Sequence, residues 1–118
     1  MPAFSFRNWK YTFVNMKGKV SDISGDVTAT VSNGSKLSKG AKVEFKVNIN
    51  GADTKYVNYT VDQYAYEKDK KRHIWVLKNS KSTGTFALFN SPQYLRKKNI
   101  NGILIMGSKD SQISFYLQ

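Results

Sequence analysis

The sequence predicts an all-β domain: a small antiparallel barrel or, as the alternative, a β-sandwich, with one short helix late in the chain. Three observations carry the prediction. Lys42 to Ile49 alternates polar and apolar residues without a break, the two-residue period of a half-buried strand. Asn50-Gly51 follows, a pair that tolerates positive φ and can reverse the chain, and a second alternating run returns from Tyr56 to Val61. Across 118 residues about eight such runs recur, with turn signals roughly every ten residues, the spacing of a sandwich or barrel.

The central pair defines two faces. Val43, Phe45, Val47, Ile49, Val57, Tyr59 and Val61 form a core face, and Lys42, Glu44, Lys46, Asn48, Tyr56, Asn58, Thr60 and Asp62 a wet one. Without a bulge, Tyr64 and Tyr66 continue the wet face. Upstream, Phe4 and Phe6 form an aromatic arm, followed by a strand in which Trp9, Tyr11 and Phe13 alternate with Asn8, Lys10 and Thr12. Trp9 and Tyr11 read as core. Met16 to Val20 is expected to continue extended, with Gly18 at a bend or bulge. Asp22 to Gly25 turns the chain, Val27 to Val31 is a short strand, and Ser32 to Gly40 is a polar loop anchored by Leu37. Gly34-Ser35-Lys36 lacks the first glycine and the following helix of a phosphate loop.

After the charged turn Glu67 to Arg72, strands are expected at His73 to Lys78 and Thr83 to Phe89, joined through Asn79 to Ser82. Trp75 is ambiguous, because Ile74 and Val76 on one face and Trp75 and Leu77 on the other are all apolar. Ser91-Pro92 is a helix-start signal: serine caps free amides and proline suits the first helical position. A short helix is therefore expected over Pro92 to Lys98, closed by Asn101-Gly102, with Arg96, Lys97 and Lys98 complementing its dipole. Ile103 to Met106 and Gln112 to Leu117 form a last hairpin. A bent barrel with a helix plugging one end before the final strands is the OB-type arrangement, so the chain reads as a single OB-like β-barrel domain over residues 1–118.

Charge is the dominant global feature. Nineteen Lys and Arg against eight Asp and Glu give +11, which makes a polyanion the natural counterpart. The chain contains no cysteine, which excludes disulfides, thiolate metal sites and a cysteine nucleophile. Met1 to Asn8 has no apolar core of a secretory signal, and the longest apolar runs, such as Ile103 to Met106, are far too short to span a membrane. A cytoplasmic location is expected, with no membrane partner. The single histidine, His73, has no orienting carboxylate or nearby nucleophile motif, and the acids are scattered among turns. No enzyme activity, metal or cofactor is expected.

What the chain does offer is cations interleaved with flat rings. Lysine and arginine neutralise phosphates and release counterions, while aromatic rings stack on unpaired bases. Arg7, Trp9, Lys10 and Tyr11 form one such group, and Lys46, Lys55 and Tyr56 a second. Tyr64, Tyr66, Lys68, Lys70, Lys71, Arg72 and Trp75 form the third and densest. The candidate nucleic-acid-binding residues are Lys46, Lys55, Lys70, Lys71 and Arg72 for phosphates and Tyr56, Tyr64, Tyr66 and Trp75 for bases. No long basic helix for duplex reading is visible.

In size, strand order, late helix and aromatics among lysines, the whole chain resembles the small phage-encoded single-stranded-DNA-binding proteins built on an OB barrel. The resemblance implies a non-catalytic, sequence-tolerant protein that coats single-stranded DNA in replication or recombination, as an oligomer in many cases, in the host cytoplasm and alongside replication or recombination proteins. The chain departs from bacterial relatives, which often end in an acidic tip: Ser114 to Gln118 carries no acid, so recruitment through such a tail is not expected. Two alternatives stand beside this expectation. One is a protein-binding β module, an inhibitor of a host protein or a structural virion component. The other is RNA binding by the same surface.

Overall fold

The computed structural model describes residues 6–32, 36–49, 53–107 and 111–118. Its strands are β1 (Phe6–Met16), β2 (Lys19–Ser21), β3 (Gly25–Val31), β4 (Lys42–Ile49), β5 (Thr54–Glu67), β6 (Arg72–Lys78), β7 (Thr83–Leu95), β8 (Lys98–Met106) and β9 (Ile113–Leu117). All pairings are antiparallel, and they run β1-β3-β4-β5-β6-β7-β8-β9 before β9 returns to β1. This is the expected small antiparallel barrel, closed by eight strands that rise and fall in sequence order, with β2 hanging on β1. Closure leaves the barrel strands without free edges. Among the described residues there is no helix, and so none long and apolar enough to cross a membrane.

Alternation decides which side chains fill the barrel. Val43, Phe45 and Val47 on β4 face inward beside Val27, Ala29 and Val31 of β3 and Tyr59 and Val61 of β5, all buried. Phe86 sits at the centre, its ring 5.4 Å from those of Trp9 and Phe45 and 5.3 Å from that of Trp75. An eight-stranded barrel is just wide enough for side chains to fill it. At Gly25 a β-carbon would lie 1.8 Å from the Asn48 carbonyl oxygen, which accepts a hydrogen bond from Tyr11 Oη at 3.0 Å. Glycine is therefore required for β3 to pass there. Burial, reinforced by the charge of Asp26, raises the Tyr11 pKa, so its hydroxyl stays a donor.

Three features depart from the sequence expectation. The Pro92–Lys98 helix does not form: Gln93 pairs with Ile100, Tyr94 with Asn99 and Leu95 with Lys98. Arg96 and Lys97, with φ of 49° and 64°, make the two-residue turn of a hairpin instead. The cross-strand ladder satisfies the amides that a serine cap would have served. Tertiary packing adds to it, since Ile100 is buried and Arg96 lies 5.5 Å over the Phe13 ring and 3.3 Å from Asp22. This β7–β8 tip thus folds back onto the barrel wall. Second, Met16 to Val20 does not run on: Lys17 and Gly18, with φ of 54° and 85°, reverse the chain so that β2 pairs with β1.

Third, β5 is bulged at Asp62. Val61 pairs with Leu77 but Gln63 with Val76, so one residue is extra and the parity inverts. Tyr64 and Tyr66 therefore leave the face that carries Tyr56 and turn to the barrel interior, opposite Trp75 and His73. The Asn50-Gly51 turn lies outside the described residues; the two runs it was expected to join do pair antiparallel, Lys42 with Thr60 through Asn48 with Thr54.

The outer wall has two unlike halves. Over β1, β3, β4 and β5 it carries Asn8, Thr28, Lys46 and Tyr56 in one row, with Lys10 beside Asp26 in the next. Over β6 to β9 it carries Ile74, Ala87, Ile103 and Tyr116 in one row and Val76, Thr85, Ile105 and Ser114 in the next, with no charged side chain in either.

Candidate nucleic-acid interface

The antiparallel order sorts the turns into two ends. One end gathers the start of β1, the β3–β4 loop, the β5–β6 turn and the end of β9. Arg7, Lys36, Lys39, Lys68, Lys70 and Lys71 all belong to this end, and apart from Arg7 each comes from a loop or turn. Lys68, Lys70 and Lys71 crowd one tight turn, which Lys71 closes with a φ of 51°. The turn follows from the sequence: a run of charged residues has no apolar side chain to bury, so it stays between two strands that do.

Below this rim lies a cavity of about 560 Å³, lined by Arg7, Trp9, His73, Leu88, Phe89 and four amide side chains, Asn8, Asn90, Asn101 and Gln118. The Arg7 guanidinium lies 5.6 Å from the Trp9 ring centre, within cation–π range. A ladder of rings leads from the rim into the barrel. Tyr66 meets His73 edge-on at 5.0 Å, and His73 stacks on Tyr64 at 5.9 Å. Tyr64 meets Trp75 at 5.3 Å, and Trp75 stacks on Phe86. His73 Nδ1 and Tyr64 Oη share a hydrogen bond of 2.7 Å, and Asn90 Nδ2 donates to Tyr66 Oη. Burial lowers the His73 pKa, so the imidazole is neutral at pH 7. The cavity therefore joins flat rings to amide donors and acceptors, and among the described residues that line it the cation is the Arg7 guanidinium. This combination can take a base edge or a phosphate.

The nine sequence-predicted residues do not form one surface. Tyr64, Tyr66, Lys70, Lys71 and Arg72 share the rim end, as expected. Of these, Tyr66 is 39% exposed and presents ring surface, while Tyr64 is half-buried in the ladder. Arg72 is held by Glu67, Nε to Oε1 at 2.6 Å, and so is a poor phosphate contact. Trp75 is 0% exposed, and its Nε1–H donates to the Leu37 carbonyl at 2.6 Å. It is the main packing residue and cannot stack on a base, because an apolar outer wall leaves the indole free to point inward. Lys46 and Tyr56 lie on the wet outer wall as a cross-strand pair, with Lys46 Nζ 5.9 Å from the ring centre of a 60% exposed tyrosine. Lys55 has the inward parity of β5 and sits at the opposite end.

Sequence reasoning missed the amides of the cavity and gave His73 no role in the site. Asn90, Asn101 and Gln118 come from β7, β8 and the end of β9, three successive arms of the sheet, and closure of β9 onto β1 brings Asn8 to them. His73 shares the parity of Trp75, so its direction, like that of the indole, is decided by the register with β5 and β7. No family model matches this chain, and no curated protein or solved structure matches it either.

Proposed function

We propose that this protein binds single-stranded DNA without catalysis and with little sequence preference, in replication or recombination, through the rim end of its barrel. Lys68, Lys70 and Lys71, with Lys36 and Lys39 across the mouth, hold phosphates. Tyr66 offers ring surface, and the cavity floored by Trp9 and His73 accepts an unpaired base. The observation that carries the reading is the coincidence, at one end, of a ring of cations with a cavity of aromatic and amide side chains. Duplex DNA does not offer a splayed base to such a cavity, whereas a single strand does. The Lys46–Tyr56 pair gives a strand leaving the mouth a second contact. RNA fits the same chemistry, and competition between matched DNA and RNA strands distinguishes them through the 2′-hydroxyl.

Titration of tryptophan fluorescence with a homothymidine strand at two salt concentrations tests the reading. Trp9 lines the cavity, so a bound base quenches it, and the quench weakens with salt. Equal affinity for duplex and single strand, or affinity indifferent to salt, would refute it.

The two uncharged central rows of the wall over β6 to β9, between Arg72 and Lys78, favour a second reading, a protein-binding β module or a self-associating one. In a chain of net charge +11, an uncharged face is where another protein surface approaches at least electrostatic cost. Ile103→Lys with Ile105→Lys then abolishes association measured by sedimentation and leaves oligonucleotide binding at the rim intact.

A further inference from the structure

The β7–β8 hairpin runs on past the barrel. Its arm starts at the rim, where Asn90 and Asn101 line the cavity and the Asn90 N–H donates to the Lys71 carbonyl. Beyond them the strands pair again, Gln93 with Ile100 through Leu95 with Lys98, up to the Arg96-Lys97 turn. Ile100 is buried, so alternation along β8 puts Asn99 and its cross-strand partner Tyr94 on the other face. Tyr94 is 70% exposed, more than any other large apolar side chain among the described residues.

The arm is also basic without relief, since no acidic residue occurs between Asp69 and Asp110. Arg96 is engaged: its contacts with Asp22 and the Phe13 ring dock the tip on the barrel wall. Lys97 and Lys98 are exposed and make no ion pair among the described residues. The turn holds Lys97 at positive φ, a place that asparagine and glycine fill with less strain. A lysine gains nothing for the turn there, so its charge is what the position offers. An accessible ring beside two accessible cations meets both needs of an unpaired strand, stacking for a base and neutralisation for phosphates. The docked tip holds them at a fixed distance from the cavity. Moreover, β8 lies four strands from β4 in either direction round the barrel, so the arm and the Lys46–Tyr56 pair stand on opposite sides of the mouth.

We propose that the β7–β8 arm is a second contact segment for single-stranded DNA, with Tyr94 stacking on a base and Lys97 and Lys98 holding phosphates. A strand that places one base in the rim cavity reaches the arm as it leaves the mouth. The inference rests on the nucleic-acid reading and adds to it a path and a length: a short strand is held by the rim alone, and only a longer one reaches the tip.

Length therefore supplies the test. Small barrels of the OB type occupy about 4–16 nucleotides, so anisotropy is measured with labelled homothymidine strands of about 4 and about 16 nucleotides. The variants are Tyr94→Ala and the pair Lys97→Asn with Lys98→Gln; asparagine is chosen because it tolerates the positive φ. All three side chains are exposed, so the fold is retained. On the long strand Tyr94→Ala is expected to weaken binding about 5- to 150-fold, the loss of one stacked base. The lysine pair flattens the slope of log affinity against log salt by about 1.4, two phosphates at roughly 0.7 each. On the short strand both variants match wild type. Wild-type affinity of both variants for the long strand overturns the proposal and leaves the rim reading standing. So does an equal loss on both strands, which would mean that the arm is no separate segment. A wild-type protein that binds neither strand overturns both.

Discussion

Replacing Lys68, Lys70 and Lys71 together by alanine separates a localised phosphate site from diffuse basicity. The rim carries Arg7, Lys36, Lys39, Lys68, Lys70 and Lys71. If a single strand engages all of them, the slope of log affinity against log salt is about −4, at roughly −0.7 per phosphate. Removing three of the six halves it to about −2. Over a fourfold rise in salt, wild-type affinity then falls about 300-fold and that of the variant about 20-fold. The control is Lys17, Lys19 and Lys81 to alanine, three exposed lysines in turns and a strand end away from the rim. Each triple variant loses three charges from +11, leaving +8, so long-range attraction falls equally in both. Fluorescence anisotropy of a labelled homothymidine strand, read across a salt series, gives the slopes directly. The rim variant is expected to flatten the slope and the control to leave it within error. Equal flattening in both would refute the reasoning, because it would mean that net charge alone holds the strand.

Trp75→Phe removes the donor to the Leu37 carbonyl and shrinks a fully buried ring; chemical denaturation should show a loss of about 2–4 kcal/mol with oligonucleotide affinity unchanged. Tyr66→Ala takes away the exposed ring of the rim and should weaken single-strand binding by about 1–3 kcal/mol, measured in the same anisotropy assay. His73 has a folded pKa held below its ordinary value by burial, so the unfolded chain takes up its proton first as pH falls. Its contribution to stability is thus full above about pH 6.5 and lost on further acidification. Thermal melts across that window should fall more steeply for wild type than for His73→Gln. Gly25→Ala drives a β-carbon into the Asn48 carbonyl and should cost about 3 kcal/mol or more, read by the denaturation midpoint.

Much of the architecture was legible from the chain alone, and for a simple reason. Where one side of a strand faces carbon and the other water, as in Lys42–Ile49, the period of two is written into the residues and survives any choice of partner. Strand existence, the inward set on β3, β4 and the first half of β5, and the basic β5–β6 turn all followed from it. The count and spacing of strands added the antiparallel all-β class, and the pairing of β9 with β1 decided for the barrel over the sandwich.

What the tertiary structure alone decided is where that period breaks. The bulge at Asp62 inverts Tyr64 and Tyr66, and nothing in the residues 60–66 announces it. A bulge answers to the bend that closing a barrel imposes, and that bend is a property of all eight strands. Trp75 was undecidable for a related reason: both faces of β6 are apolar at its centre, Ile74 and Val76 outward and Trp75 and Leu77 inward, so its direction rests on the register with β5 and β7. The Ser91-Pro92 cap misled because local signals set a helix start only when no partner strand competes for the amides, and β8 does. The cation-ringed cavity belongs to this second class. Its rings and amides come from both ends of the chain, and only β9 pairing with β1 brings them within reach of one ligand.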